Sequence, residues 1–197
     1  MRVIAFALVL ASAALPATAQ NPAAPKPNPE QLPATERKPA TLDDLFDRLA
    51  KAKDETEGKG IAFLIERRWA RSGSETADLL LNRAAQAVSK KDYPLAIELF
   101  DRVLALEPDW IEAWYQRATA FYLLDDPVSA LVDLRQVITR EPRHFGAWVG
   151  LGQILMASED KPHALQAFRR ALTIHPHLAP VQSLVERLTL EVDGKDL

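Results

Sequence analysis

Leu42, Leu45, Phe46 and Leu49 stand one, three or four residues apart, the spacing of one apolar helix face. Thr41 and Asp44 precede and open this face with the chemistry of a reciprocal cap. Gly58 and Gly60 break the pattern. A second face then runs through Ile61, Leu64, Ile65 and Trp69 until Ser72-Gly73-Ser74 stops it. The segment 41–76 is expected to be a helical hairpin.

Beyond it the pattern becomes periodic. Pro108, Pro142 and Pro176 share an interval of 34 residues, and so do Ala96, Ala130 and Ala164, and Phe100, Leu134 and Phe168. Asp92, Asp126 and Asp160 obey the same interval, each followed within two residues by Pro94, Pro127 or Pro162, and Ala84, Ala118 and Gly152 complete the set. This period is that of a two-helix repeat. Each place has a physical task. The aspartate accepts a backbone N–H at a helix start, and the proline tolerates a first turn whose N–H groups lack partners. The small residues let paired helices approach, and the Phe/Leu places fill the crossing. The later prolines disfavour helix in the residue before them and so end each hairpin. After the third of these, Pro180 stands near a helix start, with Val181, Leu184, Val185 and Leu188 on one face. Gln182, Glu186, Arg187 and Glu191 line the other faces, as a terminal capping helix over 179–192 requires; 193–197 is a short tail.

These residues resemble the tetratricopeptide repeat family. One repeat (111–144) carries Trp114, Arg117-Ala118, Phe121, Ala130, Leu134, Val137 and Pro142. The next (145–178) carries Trp148, Leu151-Gly152, Leu155, Ala164, Phe168, Ala171 and Pro176. An earlier one (77–110) has Arg83-Ala84, Ala87, Ala96, Phe100, Val103 and Pro108, with Leu80 where the others have Trp. The same register places Phe46, Leu49-Ala50 and Ala62 in a degenerate first repeat within 41–76, with Glu66 in place of an aromatic and Ser74 in place of the proline. The resemblance implies an all-α fold, a right-handed α-solenoid of antiparallel helix hairpins with a C-terminal capping helix.

It also implies a site. Ligands of the family, peptide segments or helices of partner proteins, bind a concave groove lined by the first helix of each repeat. The corresponding places here are Leu81, Ala85 and Val88, then Tyr115, Thr119 and Tyr122, then Val149, Gln153 and Met156. None is charged, so the basic clamp that some members use for a C-terminal carboxylate is not expected. Two tyrosines, a methionine and two hydrogen-bonding side chains suit an apolar or amphipathic segment. In a competing reading, Tyr115, Tyr122 and Met156 pack against neighbouring repeats. Trp114 and Trp148 are placed in the core by their register. Arg83 and Arg117 are expected each to pair with a nearby acid, Asp101 and Asp133 being at hand. The "ERRWAR" run (Glu66 to Arg71) reads as a solvated helix face around one buried Trp. His175 and His177 flank Pro176 with no adjacent carboxylate to complete a metal set.

Composition changes the picture in three ways. The net charge of -3 gives no footprint for nucleic acid. The absence of cysteine excludes disulfides, thiol catalysis and thiolate metal sites. The beginning of the chain has the pattern of a secretory signal (1–19): Arg2, an apolar run from Val3 to Leu15, and Ala17-Thr18-Ala19 before the cleavage point. That run is shorter than the roughly 20 apolar residues that span a bilayer, so no stable membrane insertion is expected after cleavage. Six prolines then mark 20–40 as an extended linker.

No phosphate-binding loop, nucleophile elbow or zinc-binding His-Glu motif is present, and no cofactor is expected. The reading is a non-catalytic scaffold in the periplasm that binds a protein or peptide partner. A self-associating homo-oligomer, with the groove filled by a second copy, is the alternative. An enzyme would require convergent titratable groups in the groove, and the nine places carry none.

Overall fold

The computed structural model describes residues 39–192 and Gly194. The expected signal segment, all of the proline-rich linker but its last two residues, and the tail apart from Gly194 lie outside the described residues. Among the described residues there are nine helices and no strand. They are α1 (Leu42–Ala50), α2 (Glu55–Trp69), α3 (Glu75–Ser89), α4 (Tyr93–Leu106), α5 (Ile111–Leu123), α6 (Pro127–Arg140), α7 (Phe145–Ala157), α8 (Lys161–Ile174) and α9 (Ala179–Val192). The chain is an all-α helical array. Helices α3 with α4, α5 with α6, and α7 with α8 form tightly packed pairs, and α4·α5, α6·α7 and α8·α9 contacts join these into a series.

Local chemistry sets the helix ends. Asp92, Asp126 and Asp160 accept from the backbone N–H groups of Leu95, Ser129 and His163, and each capped helix carries proline in its first turn. Just before each aspartate, Lys91, Asp125 and Glu159 adopt positive φ of 61°, 64° and 61°, the left-handed turn that reverses the chain. Thr41 and Asp44 form the reciprocal cap of α1, with N–H to oxygen distances of 2.8 and 3.1 Å.

Two glycines behave differently from the sequence expectation. Gly58 and Gly60 do not interrupt the second helix, because Asp54 caps it through the Glu57 N–H (2.8 Å) and α2 begins at Glu55. Gly58 instead permits a close approach: a Cβ there would meet His175 Cε1 at 3.0 Å.

Small and large residues meet where each helix pair crosses. Ala96, Ala130 and Ala164 are fully buried, as are Phe100 and Phe168. A Cβ on Gly152 would lie 2.5 Å from Phe168 Cε1, so this glycine is the space the Phe168 ring fills. Trp114 and Trp148 depart from the expected core. They are only partly buried, and their indole N–H groups donate to the carbonyls of Pro108 (2.8 Å) and Pro142 (2.9 Å). Gln182 repeats the bond one interval later, donating from Nε2 to the Pro176 carbonyl at 2.7 Å. The fully enclosed tryptophans are Trp69 and Trp110, joined by a 2.6 Å bond from Trp110 Nε1 to the Trp69 carbonyl.

The α1–α2 hairpin buries its apolar face far along the chain. Leu45, Phe46, Leu49, Ile61, Ile65 and Trp69 form one cluster with Phe145 at the start of α7 and Ile174 at the end of α8. Arg143 binds Asp43 (2.7 Å) and lies 4.2 Å over the Phe46 ring, while His177 Nε2 donates to the Ala52 carbonyl (2.7 Å).

Candidate functional site

Helices α5 and α7 lie beside each other with a groove of about 430 Å³ between them, closed at one end by the Leu178–Val181 turn into α9. Five of the nine groove places expected from the sequence line it: Tyr115, Thr119 and Tyr122 from α5, Val149 and Gln153 from α7. The 4-then-3 spacing puts the α5 trio on one helical face. Tyr122 is exposed and Tyr115 is tucked against Gly146, whose added Cβ would meet the Tyr115 hydroxyl at 2.9 Å.

The other four places lie elsewhere. Leu81 is buried among Ala77, Ala84 and Phe100, and Val88 packs at the edge of that cluster. Ala85 is exposed on α3 and does not reach this groove. Met156 packs on the cluster of Ala164, Phe168 and Leu188, under α9. For Met156, and in part for Tyr115, packing against neighbours is what the structure shows.

Two acids absent from the expected set join the site. Glu112 stands three residues before Tyr115 on the same face of α5 and is almost fully buried, with Gln116 Nε2 donating to its Oε1 at 2.6 Å. Glu66, from α2, lines both this groove and an adjoining pocket of similar volume. That pocket is shared by Phe63, Arg67, Trp69, Glu112, Tyr115 and His144, among others. Burial raises Glu112 to about 7, against the pull of its Gln116 bond and with help from the nearby Glu66 charge. Burial also raises Glu66 and, with the two acids, lifts Tyr115 to about 12. The groove is therefore not free of titratable groups, as its nine expected places had implied. One further helical step back from Tyr115 reveals Glu112. The 34-residue register reaches Glu66 as a place in the degenerate first hairpin, but only the docking of that hairpin brings it to the groove.

His144 sits under this pocket. Its Nδ1 accepts the Ala147 N–H at 3.0 Å and so caps α7, while its ring stacks on Trp69 at 4.2 Å and 8°. Burial lowers its pKa to about 4. Among the described residues, His144 Nε2 and Trp69 Nε1 are buried without a hydrogen-bond partner.

The arginine expectations separate. Arg117 takes both acids: Nε and Nη2 hold the two oxygens of Asp133 at 2.7 and 2.8 Å, and Nη1 meets Asp101 at 2.6 Å. Arg83 is exposed and forms no ion pair among the described residues, and both acids are bound by Arg117. In "ERRWAR", Trp69 is buried and the arginines lie outward, Arg68 donating to the Ala40 carbonyl. No group of three or more metal-ligating side chains occurs among the described residues. No described helix is long and apolar enough to cross a membrane.

Paired helices in series, with first helices sharing a groove, define a helical-repeat solenoid. The family model for the tetratricopeptide repeat matches residues 115–179. A TPR repeat-containing protein of Rhizobium etli is 34% identical over 189 residues, covering 96% of this chain and 91% of that protein. The chain belongs to the tetratricopeptide repeat family. Among solved structures it is similar to the first TPR of Spaghetti (RPAP3) bound to an HSP90 peptide, at 17% identity and a TM-score of 0.58 over 61% of this chain and 95% of that one. The Sgt2 TPR domain from Aspergillus fumigatus is also similar, at 19% identity and a TM-score of 0.57 over 62% of this chain and 83% of that one. At these identities the likeness is one of fold.

Proposed function

We propose that this protein is a non-catalytic interaction scaffold of the bacterial cell envelope, exported to the periplasm. It holds an apolar or amphipathic segment of a partner protein in the groove between α5 and α7, in support of envelope integrity or complex assembly. The observation that carries the reading is the groove itself, open and about 430 Å³, with Tyr115, Thr119, Tyr122, Val149 and Gln153 on its walls. Concave, largely apolar surfaces with a few placed polar groups are suited to helical or extended segments. A solved TPR structure of the same fold is bound to a peptide, which supports a peptide ligand here. The signal-like pattern over 1–19 supports export.

The test is a photoreactive residue at Tyr122, which is exposed on the groove wall. Crosslinking in cells to one foreign protein is the expected result. Crosslinks only to a second copy would establish the self-associating alternative, and no crosslink at all would overturn groove binding. Fractionation with N-terminal sequencing tests export: mature protein beginning near Gln20 in the periplasmic fraction is expected, and uncleaved cytoplasmic protein would overturn it.

A further inference from the structure

The stack of repeats is finished differently at its two ends. At one end α9 packs on α8 and turns Gln182, Glu186 and Arg187 to solvent, the polar outer side that closes a solenoid. At the other end the α1–α2 hairpin does not serve as a cap. It docks on Phe145 and Ile174, and no packing like that of α4 with α5 or α6 with α7 joins α2 to α3. The outer face of α3 and α4 therefore lacks the preceding neighbour that each later repeat has.

The 34-residue register shows what that face holds. Trp114 packs on the α3–α4 cluster as well as on the α5–α6 cluster, whereas its counterpart Leu80 packs on the α3–α4 cluster alone. Arg140 lies 5.5 Å over the Trp114 ring, and its counterpart Leu106 is 52% exposed. Arg117 reaches back to Asp101 in the preceding helix pair, while Arg83, in the same place, has no acid behind it. Leu79 is exposed to the same extent as Leu106.

The polar groups on α3 are arranged about Leu79. Glu75 stands four residues before it and Arg83 four after, and Thr76 stands three before and Asn82 three after. All five are exposed on one stripe of the helix. Neither Glu75 nor Arg83 forms an ion pair among the described residues. A two-fold axis through Leu79 lays a second α3 antiparallel on the first and sets each residue before Leu79 opposite the one equally far after it. Glu75 then meets Arg83 of the second copy, Thr76 meets Asn82, and both pairs occur twice. Four residues rise about 6 Å along a helix, so the ion pairs stay within side-chain reach at the crossing angle of about 20° common between packed helices. Moving the axis one turn, to Arg83, would set two guanidinium groups against each other, so charge selects the register.

We propose that the protein forms a homodimer through α3, with Leu79 of both copies on the two-fold axis and reciprocal Glu75–Arg83 ion pairs on either side. Leu80 and Leu106 supply the apolar border. The α5–α7 groove takes no residue from α3 or α4, so this interface leaves it free, whatever it holds. The dimer carries two grooves, and a partner with two binding segments gains avidity from both.

Sedimentation velocity of the purified protein from about 1 to 100 µM tests the proposal. The mass should rise from one chain to two. Leu79→Asp, Glu75→Arg and Arg83→Glu should each weaken the dimer by at least about tenfold. The far-UV spectrum of each dilute variant should match that of the native chain, since all three places face solvent. The sharper measurement mixes Glu75→Arg with Arg83→Glu. Each variant repels its own kind across the axis, but one chain then offers two arginines and the other two glutamates. The mixture should recover a dimer containing one of each. Monomer at every concentration overturns the proposal and leaves the face to a different protein. A dimer that survives all three substitutions, or a mixture that recovers nothing, overturns it as well.

Discussion

Arg117 grips both carboxylate oxygens of Asp133, at 2.7 and 2.8 Å, from the helix that precedes it. Asp133 is 1% exposed, so the pair is the internal fastening between α5 and α6. Breaking a buried pair by removing one partner strands the other, at a cost of about 3–5 kcal/mol. Arg117→Met is expected to destabilise in that range in urea unfolding. Asp101→Ala, which removes the exposed outer partner, should cost under about 1 kcal/mol, and Arg83→Met about 0.5 kcal/mol or less.

Two helical glycines predict opposite outcomes. Gly60 is exposed with nothing within 4 Å of an added Cβ, so Gly60→Ala should stabilise by roughly 0.5–1 kcal/mol through helix propensity. Gly152→Ala gains the same propensity but places a methyl 2.5 Å from Phe168, and overpacking of about 1–3 kcal/mol should prevail. Thermal unfolding of the two variants side by side checks the sign of each.

Glu112 and His144 oppose each other in pH. With Glu112 raised from 4.5 to about 7, the folded state binds its proton more tightly than the unfolded chain. Its contribution is least unfavourable below pH 4.5 and becomes fully destabilising above pH 7. With His144 lowered from 6.5 to about 4, the unfolded chain takes up the proton first, so stability rises with pH between those values. The native protein should therefore show a shallow profile from pH 4.5 to 6.5. Glu112→Gln removes one slope: it should gain on the order of 2 kcal/mol over the native chain at pH 8 and little at pH 4.5, measured by denaturant unfolding at both.

The Trp-to-turn bond is testable in isolation. Trp148→Phe keeps the ring's apolar contacts but leaves the Pro142 carbonyl without its indole donor. A loss of about 1 kcal/mol is expected. Gln182→Leu, which removes the equivalent bond to Pro176, should cost a similar or smaller amount in the same denaturation assay because the site is more exposed.

Most of what repeats was legible in the chain, the exception being Trp114 and Trp148, which lie only partly buried and bond the turn carbonyls. The aspartate caps, the first-turn prolines and the small-against-large crossings of Ala118 with Leu134 or Gly152 with Phe168 follow from intervals, because their causes act within one or two helices, and the five groove positions follow from the family resemblance those intervals carry. Glu112 lies one helical step before Tyr115 but outside the nine expected places, and burial is what makes its carboxyl consequential. What the tertiary structure alone decided was where the α1–α2 hairpin goes. Its Leu45–Trp69 face docks on Phe145 and Ile174, across the starts of α5 and α7. This brings Glu66 to Glu112 and Trp69 to His144. No spacing rule reaches that far, since the docking follows from which apolar faces remain uncovered after the repeats have packed. The helix pairs are thus written in the period, and the charge beside the groove is set by Glu112 of α5 together with the hairpin that brings Glu66.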